Sequence, residues 1–87
     1  MFQEVQGLTL GINYYFLPED AQFLHFQEAG HGLLVTVLID TDKPNVQGKL
    51  LLMTSYSALP EYEVQHLATA VVKKEAWHIF RVLDNGD

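Results

Sequence analysis

Apolar and polar residues alternate with a period of two through much of the first two thirds of the chain. In "LTLGINYYFL" (8–17), Leu8, Leu10, Ile12, Tyr14 and Phe16 share one face. Thr9, Gly11, Asn13 and Tyr15 share the other, and this pattern predicts a strand. "PEDA" (18–21) supplies turn chemistry, with Pro18 fixing its own φ. "QFLHFQE" (22–28) predicts a shorter second strand. "GLLVTVLID" (32–40) predicts a third, and "VQGKLLLMTSYS" (46–57) a fourth. Both of these carry apolar residues on two faces, which marks them as central strands covered on each side. Their short connections, including the turn-rich "DTDKPN" (40–45), predict an antiparallel meander.

The spacing changes over the last third. In residues 60–83, Val64, Leu67, Ala68, Val71 and Val72 recur at helical intervals, followed by Ala76, Ile79, Phe80 and Leu83. Pro60 suits a first helical position, and Glu61 and Glu63 suit the positive first turn. Arg81 falls near the negative end, and Asp84-Asn85-Gly86 gives a stop. One helix over this span would be roughly 36 Å long. The alternative is a break near Lys73–Glu75, with 76–83 as a further strand. The fold expected is α+β: a four-stranded antiparallel meander followed by one long C-terminal helix packed on one face (ββββα), in a single domain spanning 1–87. One helix covers one sheet face only, so a second copy of the chain is expected on the other, making a homodimer.

Composition narrows the class. With 87 residues, 48% of them hydrophobic, the chain can build one small core. It has no cysteine, which removes disulfides and thiolate zinc sites and fits a reducing compartment. No basic N-terminal region precedes an apolar run and no stretch is long enough to span a bilayer, so a cytoplasmic protein is expected. The net charge is −6, and the first 42 residues hold no Lys or Arg, which disfavours general nucleic-acid binding. Only 18% of residues are charged, low for a small domain that stays soluble alone.

Few residues suggest chemistry. Gly30-His31-Gly32 lies between two strands, whereas a phosphate-cradling loop leads into a helix. It reads as a hairpin connection in which the glycines supply positive φ. The four histidines are His25, His31, His66 and His78. On a helix, His66 and His78 would point about 120° apart, so no metal site is expected. "DTDKPN" lacks the glycine and glutamate of a calcium loop, and Asp40 and Asp42 fit turn-capping roles. Thr54, Ser55, Tyr56 and Ser57 sit in no nucleophile motif. Glu75, aligned on the helix with Leu67, Val71, Ile79 and Leu83, is a candidate buried carboxylate and general base.

The opposite face of the helix would carry His66, Ala70, Lys73, Trp77 and Arg81 in one stripe. Trp and Arg dominate binding hot spots, so Trp77, Arg81, Lys73 and His66 are candidate partner contacts. Tyr15 and Tyr56 are candidates on the strand face. The function expected is a non-catalytic protein–protein interaction module acting as a homodimer, without cofactor or metal. The alternative is a small ligand-binding protein or enzyme with an interface pocket using Glu75 and a histidine.

Overall fold

In the computed structural model, which describes residues 1–83, the chain is all strand. Seven strands follow in order: β1 (Phe2–Leu8), β2 (Gly11–Pro18), β3 (Gln22–Ala29), β4 (Gly32–Leu38), β5 (Asn45–Thr54), β6 (Val64–Val72) and β7 (Glu75–Val82). They form two antiparallel sheets, one ordered β1-β4-β3 and the other β2-β5-β7-β6. The expected C-terminal helix is absent, so the ββββα meander is replaced by a two-layer sandwich. The second layer covers the sheet face that a helix was expected to cover. Residues 84–86, expected as the helix stop, lie outside the described residues.

The cause of the misleading helical spacing lies in β6. Gln65 faces Arg81 and His66 faces Phe80, but Ala68 faces Ile79, so Leu67 is an extra residue in a bulge. Before the bulge odd-numbered residues point inward; after it Ala68, Ala70 and Val72 do. The bulge puts Leu67 and Ala68 together against the core. With Val64 and Val71 on the outer face and Val72 inside, apolar residues recur at 64, 67, 68, 71 and 72, which is also a helical pattern. The composition argues for strands: Val64, Thr69, Val71, Val72, Trp77, Ile79, Phe80 and Val82 are β-branched or aromatic. Lys73 and Lys74 then form a two-residue hairpin turn with φ of 50° and 68°, the pair of positive values that a type I′ turn requires. The alternative of a break near Lys73–Glu75 is therefore the one realised, and 75–82 is a strand.

β4 and β5, the strands with apolar residues on both faces, are interior strands of their sheets, and β7 is a third. Leu33, Val35 and Val37 of β4, with Leu8 of β1 opposite Leu33 in the same sheet, share one core with Leu50 and Leu52 of β5, Ile79 and Trp77 of β7 and Leu17 of β2. No polar side chain is fully buried among the described residues. The sandwich is thin, 16 Å along its shortest axis, as two packed sheets should be. β1 has no clear signature in the sequence, because "FQEVQG" carries only Phe2 and Val5 as large apolar residues.

The Gly30-His31 connection is the expected hairpin tip, joining β3 to β4 with Ala29 paired to Gly32. Gly30 alone supplies positive φ, at 63°. Gly32 has a different reason to be glycine: a methyl there would collide with the carbonyl of Leu8. In the 40–45 loop, the Asp42 N–H donates to Asp40 Oδ1 at 3.0 Å, so Asp40 caps the turn. Lys43 of that loop pairs with Asp20 at 3.1 Å.

Candidate functional site

The face of β2 that points away from the core decides where a partner can sit. Tyr15 and Leu17 point inward; Tyr15 meets Phe23 of β3 edge to face, with centroids 5.4 Å apart, and Leu17 is buried. Tyr15 also lies over Gly48 of β5, where any Cβ would strike its ring. Ile12, Tyr14 and Phe16 therefore point out, with 41%, 63% and 64% of their surface exposed. The most apolar row of the first predicted strand is thus on the outside.

This row continues across the outer face of the four-stranded sheet. Ile12 lies opposite Leu51, which lies opposite Phe80, which lies opposite His66. Tyr14 lies opposite Lys49, whose ammonium sits 5.9 Å from the Tyr14 ring centroid. Leu51 and Met53 are covered by the 55–63 loop. That loop bounds two shallow clefts, one lined by Leu10, Leu51, Met53, Pro60 and Tyr62, the other by Met53, Leu59, His78 and Phe80.

At the β6–β7 end a chain of polar side chains replaces the apolar row. Ser55 Oγ is 2.8 Å from His78 Nε2. His78 Nδ1 and His66 Nε2 each lie 3.1 Å from Thr69 Oγ1. The two imidazoles, expected to diverge on a helix, have centroids 6.4 Å apart on neighbouring strands. Thr69 has one proton to donate and two lone pairs, so at most one ring presents a lone pair to it and at least one donates its N–H. The Ser55–His78 contact has general-base geometry, but the group orienting His78 is a neutral hydroxyl and offers no countercharge to an imidazolium. Among the described residues no group of three His, Asp or Glu side chains could hold a metal ion.

The structure separates most of the residues singled out from the sequence. Trp77 is 7% exposed and belongs to the core, so it cannot anchor a stripe. Lys73 is in the β6–β7 turn, and His66 is on the outer face of β6. Arg81 is half-buried and donates to the Glu19 carbonyl at 3.2 Å, near Tyr15. Tyr56 is 92% exposed on the loop after β5. The helical stripe of Lys73, Trp77 and Arg81 therefore does not exist. Glu75 is exposed at the end of the hairpin turn, which removes the apolar setting a buried base would need. The row Ile12, Tyr14 and Phe16 was visible as an alternating face, but its outward direction depends on what lies on the other side.

The chain matches no family model, and neither the curated proteins nor the solved structures contain a match to it.

Proposed function

We propose that the chain is a non-catalytic protein–protein interaction module that acts as a homodimer, and that its working surface is the outer face of the four-stranded sheet. The observation that supports this reading is the contiguous exposed row of Ile12, Tyr14 and Phe16 on a protein with little surface charge. Antiparallel sheets that face water alternate apolar and polar residues so that the wet face is polar. Here the wet face carries two large aromatic side chains that gain nothing from water. Tyr62 on the adjoining loop, which lines a cleft with Leu10 and Leu51, enlarges the same apolar surface. No helix among the described residues is long and apolar enough to cross a membrane. A cytoplasmic setting agrees with the lack of cysteine.

The test is the solution mass by light scattering over a dilution series, for the wild-type chain and for Tyr14→Ser with Phe16→Ser. The expected result is a mass that doubles with concentration for the wild type and stays single for the variant. A wild-type mass that stays single throughout would remove the homodimer. Equal association by the two proteins would remove this surface from it.

A further inference from the structure

Each sheet ends in two edge strands, and three of the four carry an irregularity. β1 has a register shift between Val5 and Leu8, with Gly7 at φ 75°. β3 shifts between Phe23 and His25, and β6 between His66 and Ala68. Bulges of this kind twist an edge away from straight pairing and prevent a further strand from adding. β2 differs. It pairs with β5 without a shift from Gly11 opposite Leu52 to Pro18 opposite Asn45. Its sequence, "GINYYFLP", contains no charged residue, the other common guard of an exposed edge. Its inner row is locked by Tyr15 on Phe23 and Gly48 and by buried Leu17, so beyond Gly11, whose φ is 102°, the edge runs on without an irregularity and is held in place.

We propose that β2 pairs antiparallel with β2 of a second copy of this chain, about a two-fold axis perpendicular to the sheet that passes through Tyr14, joining the two four-stranded sheets into one of eight strands. The proposal rests on the homodimer reading above and specifies its seam. Residues directly opposite each other across an antiparallel pair point to the same face, so in this symmetry only residues of the same parity can oppose one another. Placing Tyr14 on the axis sets it against the same residue of the other copy, and sets Ile12 of each copy against Phe16 of the other. Shifting the axis to Tyr15 would bring Pro18, which has no N–H to donate, into the paired segment. The exposed rows of the two copies then form one continuous ridge of six apolar side chains, of the aromatic and β-branched pair types that stabilise sheets.

Charge favours a second copy at this seam over other places on the molecule. Two chains of net charge −6 repel, and an interface between them must keep acidic groups apart. The seam itself is neutral. In the Tyr14 register Glu19 and Asp20, just beyond β2, extend past the uncharged Thr9 and Leu8 of the other copy. An overlap of seven residues buries on the order of 1,000 Å² in total, the lower bound of a specific interface. The dimer should therefore be concentration-dependent.

Because the chain has no cysteine, single cysteines report the geometry directly. Tyr14→Cys, Ile12→Cys, Phe16→Cys and Phe80→Cys would each be oxidised at a concentration where light scattering shows the dimer, with circular dichroism checking each fold. The expected result is a disulfide-linked dimer that forms at least about ten-fold faster for Tyr14→Cys than for the other variants, since only residues on the axis meet their own copies at bonding distance. Fastest linkage for Ile12→Cys or Phe16→Cys would overturn the register. Fastest linkage for Phe80→Cys would mean that the sheets stack face to face, overturning edge pairing while leaving the homodimer reading intact. A wild-type chain with single mass at every concentration would overturn both.

Discussion

Trp77 shows how the same residue changes meaning with its environment. As a helical residue it would be an exposed anchor for a partner; as a β7 residue opposite Thr54 and Ala70 it fills the space between the sheets. Trp77→Ala is accordingly expected to lower stability by about 3–5 kcal/mol, through lost burial and the cavity left behind. Urea unfolding would measure this, and a change below about 1 kcal/mol would place the side chain outside the core. Exposed residues have less leverage. The Lys43–Asp20 pair is half in water, and such pairs contribute little. The hydrogen bond and charge of Asp20 hold the Lys43 ammonium above its ordinary value. Its small contribution is therefore complete below that ordinary value and fades only as strongly alkaline pH passes through the raised one.

The β6–β7 hairpin belongs to the scale of the element. Two lysines hold the positive-φ positions of its turn, a conformation that strains residues with a Cβ. The replacement Lys73→Asn with Lys74→Gly supplies the residues this turn type prefers, and is expected to raise stability by about 1–2 kcal/mol. A thermal melt would show a higher midpoint; a lower one would mean that the lysine side chains themselves hold the hairpin. The β3–β4 hairpin lacks this conflict, since Gly30 takes the positive-φ position. That explains why the first hairpin was legible in the sequence. The second was not: its turn carries no glycine or asparagine, and the bulge at Leu67 disguises the strand before it.

For the whole molecule, the distribution of charge predicts how association responds to salt. The proposed seam is neutral and apolar while each chain carries −6, so screening should weaken the repulsion and leave the attraction. Dimerisation measured by sedimentation is expected to tighten between about 20 mM and 500 mM salt. Weakening over that range would identify an interface made of ion pairs instead. The outer face differs in kind from the opposite side of the sandwich. There Glu4, Gln22, His25, Gln27 and Thr36 interrupt the apolar residues.

The sequence by itself determined β2 to β5 in outline, the interior places of β4 and β5, the Gly30-His31 tip and the Asp40 turn, because each is set by neighbours along the chain; it missed β1 and joined its last residue, Leu8, to β2. The sequence also placed Ile12, Tyr14 and Phe16 on one face. Only the tertiary structure decided which way that face points. Alternation defines two faces but not the inside, and here Tyr15 and Leu17 meet the other sheet, leaving the richer row in water. The same holds for β6 and β7. A bulge is a register relation between two strands, so the sequence of one strand shows only a shifted pattern, which a helix fits equally well. The convergence of His66, Thr69, His78 and Ser55 follows from that pairing across strands and had no local signature to read.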